Sequence, residues 1–177
     1  MNTTIGKTKI MVAKSDITQL EVDAIATASG TDLHMRGEVA AAIKAAGGEG
    51  IEHEAVLQGP IEVGGTVATT GHGLNARWVI HVALTNGTPQ AGAEEVAAAT
   101  RAVLDRAVRC QASSIAVPAF GTGACEVPSY LCAKAMVAAV ADYLRERRRT
   151  PLRQIMFVVN DAAGRAAFTD AVVGING

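Results

Sequence analysis

The sequence predicts an α/β protein, a three-layer α/β/α sandwich around a mixed, largely parallel central sheet. Three observations lead there. Hydrophobic residues make up 49% of the chain but aromatics only 3%, the composition of small-residue helices packed on a buried sheet. Short apolar runs alternate with longer stretches of helical periodicity. Between Ser114 and Ser129, a short run (Ile115-Ala116-Val117) leads through a loop containing Gly121 and Gly123 into a long helical pattern, the strand–glycine loop–helix order of an open α/β sheet. With 177 residues, one domain over 1–177 can bury a core without disulfide or metal support.

Taken in order, Lys9 to Ala13 alternate and read as a first strand, after which Asp16 can cap a short turn. Val22 to Ala28 form a nearly continuous apolar run, as in a strand buried on both faces. A loop from Ser29 to Gly37 precedes the strong helix former Glu38 to Ala46, which Gly47-Gly48 ends. A short helix covers Gly50 to Leu57 and stops at Gly59-Pro60. Thr66–Thr70 and Trp78–Leu84 are rich in Val, Ile and Thr and suit a hairpin. Val96, Ala99, Val103, Leu104, Ala107 and Val108 share one helical face, and Cys132, Ala135, Met136, Ala139, Val140, Tyr143 and Leu144 share another. The 115–117 strand lies between these helices; a last strand (Gln154–Val159) and a closing helix (Ala162–Val173) follow. Such alternation favours parallel pairing with right-handed crossovers in the later part.

Composition also narrows the partners. A net charge of −1 provides no bulk attraction to nucleic acid or an anionic membrane, and neither is expected as a partner. Cys110, Cys125 and Cys132 match no zinc spacing, and the four histidines are dispersed, so no metal is expected. No signal-like segment opens the chain and no apolar run approaches membrane length, which points to the cytoplasm. The alanine-rich helices could pack against a second copy, making a homodimer one expected assembly.

In an open sheet, ligands bind beyond the carboxyl ends of the strands. Three loops meet that condition: Ser29–Gly37, Pro118–Val127 and Asn160–Gly164. Glu38 and Val39 open a helix, so their amides are available to an anion. Neither GxxxxGK[ST] nor GxGxxG is present. Arg36 is the one basic residue in the two glycine-bearing loops, so phosphate binding would rest largely on backbone dipoles. Asp32 and His34 are the candidate acid or base side chains of the first loop. His81 reads as a core histidine in an apolar strand, and Arg145–Arg149 as cations ending a helix.

Four stretches resemble the macrodomain family, in order and in spacing. They are Lys14-Ser-Asp-Ile-Thr-Gln-Leu-Glu-Val-Asp-Ala-Ile, Leu33-His-Met-Arg-Gly-Glu-Val-Ala-Ala-Ala-Ile-Lys-Ala-Ala-Gly-Gly, Arg77-Trp-Val-Ile-His-Val and Ile115-Ala-Val-Pro-Ala-Phe-Gly-Thr-Gly. The resemblance is to a divergent stand-alone member of bacterial or archaeal type. It implies a three-layer module that binds ADP-ribose, in a family where some members process ADP-ribose 1″-phosphate, release ADP-ribose from proteins or deacetylate O-acetyl-ADP-ribose. Carried over, Asp16 would accept a hydrogen bond from the adenine amino group and the Ile17 amide would meet the ring. Gly37, Glu38 and Val39 would form the first phosphate loop. After Pro118, residues Gly121, Thr122, Gly123, Ala124 and Cys125 would form the second.

The departures gather at the ligand. Family hydrolases carry Asn-Ala-Ala-Asn where this chain has Thr27-Ala28-Ser29-Gly30, so Gly30 stands for the Asn that contacts the ribose. An Asp of one hydrolase branch is replaced by Ala40, an aromatic by Cys125, a glycine by Glu126 and the adenine-stacking aromatic by Asn160. Arg36 and Glu38 replace loop glycines, which predicts an altered loop path with Arg36 as a new phosphate contact. The implied function is binding of ADP-ribose or a derivative, including ADP-ribosylated protein, with weak or absent hydrolysis and no cofactor. The alternatives are an active ADP-ribosyl hydrolase or O-acetyl-ADP-ribose deacetylase, and an assembly module with a degenerate pocket.

Overall fold

The structure is a computed structural model that describes residues 1–88, 91–123 and 125–176. Its strands are β1 (Asn2–Ile5), β2 (Thr8–Lys14), β3 (Ala24–Gly30), β4 (Thr66–Thr70), β5 (Trp78–Thr85), β6 (Ser114–Pro118) and β7 (Gln154–Val159). Its helices are α1 (Glu38–Gly47), α2 (Gly50–Leu57), α3 (Ala93–Arg109), α4 (Ser129–Glu146) and α5 (Ala162–Gly174), with a short 3₁₀ turn at Ile17–Gln19. The strands form one sheet of order β1-β2-β7-β6-β3-β5-β4. β2, β7, β6, β3 and β5 run parallel, while β1 and β4 are antiparallel edges.

Alternation along each strand separates the layers. Ile155, Phe157 and Val159 of β7 enter one core together with Ile115 and Val117 of β6, whereas Met156, Val158 and Ala116 enter the other. The first core lies under α3, α4 and α5 and is the larger. The second lies under α1 and the 3₁₀ turn, with a satellite of Leu33, Ala55 and Val67 beneath α2. Helices on both faces of a mixed sheet make the expected three-layer sandwich.

Two strand expectations need correction. The run at Lys9–Ala13 is the second strand, because β1 precedes it and pairs in register from Asn2↔Met11 to Ile5↔Thr8. Asn-Thr-Thr-Ile is short, polar and half-exposed, so it carries no apolar signal and is a strand only because the edge of β2 is there to receive it. The second expected strand begins at Ala24 instead of Val22. Asp23 is diverted to the start of β6, where its carboxylate accepts the Ser113 N–H at 2.7 Å. That strand also continues through Ser29 and Gly30, with a register shift between them against β5.

The remaining elements follow the sequence closely. α1 ends at Gly48, whose φ of +104° stops the helix. His81 is fully buried, its Nε2 lies 3.1 Å from Thr69 Oγ1, and burial lowers its pKa to about 4. Among the described residues, no helix is long and apolar enough to cross a membrane.

Candidate functional site

The carboxyl ends of the five parallel strands share one edge of the sheet. Asp16 follows β2, Asn160 follows β7, the 119–127 segment follows β6 and the 31–37 loop follows β3. The Ser15 amide donates to the Val159 carbonyl at 3.2 Å, which joins the ends of β2 and β7 and sets Asp16 beside Asn160. Sheet order therefore brings the three expected loops to one crevice.

Asp16 caps the 3₁₀ turn through one carboxylate oxygen. Oδ1 accepts the Thr18 hydroxyl at 2.7 Å and the Thr18 amide at 2.9 Å. These bonds, the hydroxyl first, hold the carboxyl below its ordinary range. Oδ2 makes no hydrogen bond among the described residues. Ile17 is buried in the core under α1, which fixes the turn, so the cap and an outward-facing acceptor coexist on Asp16.

The first loop is anchored by apolar side chains that face inward. Leu33 is fully buried in the α2 satellite core at a φ of +65°, and Met35 is buried against the core under α1. Between them, Asp32 Oδ1 accepts the His34 amide at 3.1 Å and Asp32 pairs with Arg36 at 2.9 Å. The Arg36 guanidinium, first by hydrogen bond, lowers the Asp32 pKa, and Arg36 is raised by the same pair. The Arg36 side chain is 69% exposed, and neither Arg36 nor Glu38 has positive φ. The loop thus takes its backbone strain at Leu33 and engages Arg36 with its own neighbour. At its end, Gly37 is the N-cap of α1 and has no side-chain cap, so the first amides of that helix have no intrahelical partner.

The carboxylate of Glu52 on α2 lies behind this loop. Its Oε2 accepts the Met35 amide at 2.7 Å and Lys44 Nζ at 3.2 Å, with His34 Nδ1 at 3.9 Å. The Met35 bond is the largest influence holding its pKa down. Glu52 was not among the residues expected at the site. It reads as the polar face of a short helix, and its partner is 17 positions away.

The second loop is pinned at its start. Phe120 is buried, its amide lies 3.4 Å from Met136 Sδ, and its carbonyl accepts Cys132 Sγ at 3.0 Å. Burial pushes the Cys132 thiol up to about 12. Gly121 has a φ of +86°, and a Cβ there would meet Val127 and Val96, each at 3.1 Å. Thr122 Oγ1 bonds the Ala119 carbonyl at 3.4 Å. The Glu126 amide donates to Gly123 and the Val127 amide to Gly121, at 3.0 and 2.8 Å. Glu126 itself has a φ of +53°, a backbone region that favours glycine. Cys125 packs against the larger core, Asn160 is exposed, and Ala124 lies outside the described residues.

The space a Cβ would occupy at the crevice glycines separates two kinds of position. At Gly37 and Gly123 it would meet nothing within 4 Å among the described residues, whereas at Gly30 the nearest atoms are Asp32 Oδ1 and the Thr85 carbonyl, both at an ordinary 3.7 Å. Neither Gly37 nor Gly123 has positive φ, so neither needs to be glycine for the fold. Two surface grooves, of about 490 and 330 Å³, lie away from these loops, one lined partly by Arg147–Arg149 and the other by Gly64–Thr66 with Arg106 and Arg109. These arginines cluster around the C-terminal ends of α3 and α4, where cations complement the helix dipole. Arg147 also stacks 4.3 Å from the Tyr143 ring. Among the described residues, no group of three or more His, Cys, Asp and Glu side chains could hold a metal ion.

A mixed sheet covered on both faces, with glycine-bearing loops converging beyond its parallel strand ends, places the protein among open-sheet α/β proteins with a crevice at that edge. More specifically, the chain belongs to the macro domain family, whose model matches residues 26–136. An uncharacterized protein of Mycobacterium tuberculosis is 38% identical over 169 residues, covering 95% of this chain and 46% of that protein. The chain thus spans about half the length of the curated relatives it matches first. Among solved structures, the Oceanobacillus iheyensis macrodomain with MES bound has a TM-score of 0.88 at 21% identity, covering 99% of this chain and 96% of that one. The Trypanosoma brucei macrodomain in complex with ADP-ribose has a TM-score of 0.84 at 22% identity, covering 92% of this chain and 68% of that one. Both likenesses are of fold.

Proposed function

We propose that this protein binds ADP-ribose or a close derivative, including ADP-ribose carried on a protein, and hydrolyses it weakly or not at all. The observation that carries the reading is the pair Gly37 and Gly123. Among the described residues they face open space on two loops of one crevice, and the backbone requires glycine at neither. Glycine at such points lets a ligand approach the backbone closely.

The diphosphate would lie between the first amides of α1 (Glu38, Val39) and the loop at Gly121–Cys125. Asp16 Oδ2 is the acceptor for the adenine amino group, a match because an ionised carboxylate only accepts hydrogen bonds. The α1 dipole adds attraction for the phosphate nearest its N-terminus. The complex of the Trypanosoma brucei macrodomain with ADP-ribose supports this ligand class.

Three features support binding over turnover. Gly30 and Ala40 offer no side chain to orient a ribose hydroxyl or an attacking water, and such positioning supplies a large part of a catalytic rate. Asp32 is held ionised by Arg36 and the His34 amide, an environment opposite to that of a general acid. Asp32 and His34 are both tied into the loop's own framework, which makes them loop-forming residues. Titration calorimetry with ADP-ribose tests the reading: saturable heat is expected, and no heat at millimolar ligand would refute it. Incubation with ADP-ribosylated protein and with O-acetyl-ADP-ribose tests the second half, where sustained turnover would place the protein with the hydrolases.

A further inference from the structure

We infer that Glu52 is a positioning residue for the ligand site: its carboxylate holds the first phosphate loop in a binding-competent path through the Met35 amide. The inference rests on the ADP-ribose reading of the crevice, and one arm of its test is independent of it.

The geometry makes Glu52 a junction of three segments. Its Oε2 accepts from Met35 in the loop at 2.7 Å and from Lys44 in the last turn of α1 at 3.2 Å. The carboxylate itself is carried on α2, whose Ile51 and Ala55 are fully buried on either side of it in sequence. Met35 lies two residues before Gly37, the N-cap of α1. An error in the Met35 peptide is therefore passed to the Gly37, Glu38 and Val39 amides within one turn.

The rest of the loop cannot take over this role. Leu33 anchors its start, but the segment between Leu33 and α1 contains Arg36, which is exposed and, among the described residues, bonded only to Asp32 in the same loop. The Met35 side chain is buried, yet a flexible, unbranched thioether tolerates rotation about its own chain. The hydrogen bond that the Met35 amide donates to Glu52 is the directional restraint, and a hydrogen bond to a charged acceptor is stronger than one between neutral groups. Glu54, on the same helix, holds β4 instead: it accepts from the Thr70 amide and hydroxyl, each at 2.9 Å, and pairs with His72 at 3.0 Å. Two carboxylates of one helix thus restrain different parts of the molecule, and Glu54 serves as the control.

The test combines amide hydrogen exchange at Met35 with ADP-ribose titration in Glu52→Ala, Glu52→Gln and Glu54→Ala. Glu52→Ala is expected to lose protection at the Met35 amide and to weaken ADP-ribose binding roughly tenfold or more. Glu52→Gln keeps an acceptor oxygen, so most of the protection and binding to within about threefold should return. Glu54→Ala should lower stability and leave the affinity in place. Wild-type protection and affinity in Glu52→Ala would overturn the inference, as would a loss in Glu54→Ala equal to that in Glu52→Ala. If the wild-type protein gives no heat with ADP-ribose, the functional reading fails and Met35 exchange alone decides. Protection lost in Glu52→Ala and kept in Glu52→Gln would then sustain the restraint, and unchanged protection would reject it.

Discussion

Gly121 and Gly123 lie two residues apart in one loop, yet the structure assigns them opposite reasons for being glycine. At Gly121 the φ of +86° and the 3.1 Å approaches to Val127 and Val96 both oppose a side chain. Left-handed backbone costs a non-glycine residue about 1–2 kcal/mol, and overpacking against a filled core costs about 1–3 kcal/mol more. Gly121→Ala should therefore destabilise by about 2–5 kcal/mol, which for a chain of this size lowers Tm by roughly 4–20 °C. At Gly123 a Cβ meets nothing within 4 Å among the described residues, so Gly123→Val should leave stability within about 0.5 kcal/mol of wild type. Its methyl groups would instead occupy the space we assign to the diphosphate, and ADP-ribose affinity should fall at least tenfold by roughly the penalty of overpacking a site. Thermal unfolding and titration calorimetry on the two variants separate the cases. A Gly123→Val protein that melts with Gly121→Ala would show that the open space at 123 is not open. One that binds ADP-ribose like the wild type would remove the crevice between the two loops as the ligand site.

Further outcomes follow from the same geometry. Gly30→Asn should fold normally, because its Cβ would make only ordinary 3.7 Å contacts, and should tighten ADP-ribose about two- to tenfold by adding one hydrogen bond; unchanged calorimetric affinity would separate position 30 from the ribose. Glu126→Gly relieves a residue at a φ of +53° and should raise stability by up to about 1 kcal/mol, measured by denaturant midpoint. His81 is neutral in the fold because burial lowers its pKa from 6.5 to about 4. The unfolded chain therefore binds the extra proton between those values, and stability that is complete above pH 6.5 declines as pH falls toward 4, by about 3 kcal/mol in all. Urea unfolding across that range should show the slope in wild type and lose it in His81→Leu; identical slopes would show that His81 does not carry it.

Much of the fold was legible because it is written in local patterns. Apolar runs of five to eight residues and helical stripes such as Val96–Ala107 report burial directly, and Gly47-Gly48 marks a helix end wherever the helix goes. Asp16 was legible for the same reason, since its cap on Thr18 is a contact two residues long. β1 was not, because Asn-Thr-Thr-Ile becomes a strand only by pairing with β2. In the first loop the sequence identified the glycine, the charges and the likeness to a family. It could not reveal that Leu33 and Met35 turn into two different cores, that Arg36 closes on Asp32, or that Glu52 reaches back to the Met35 amide.

The sequence by itself determined the helices and the strands with an apolar run, their order and the chemistry available at the crevice, but not the polar edge strand β1. The tertiary structure decided which groups meet there: sheet order set Asp16 beside Asn160, and packing chose which glycines face a neighbour and which face open space. The physical reason is range. Propensity, periodicity and capping act within one or two turns of chain, whereas the register of parallel strands and the contact of a helix carboxylate with a distant amide depend on how whole layers come together.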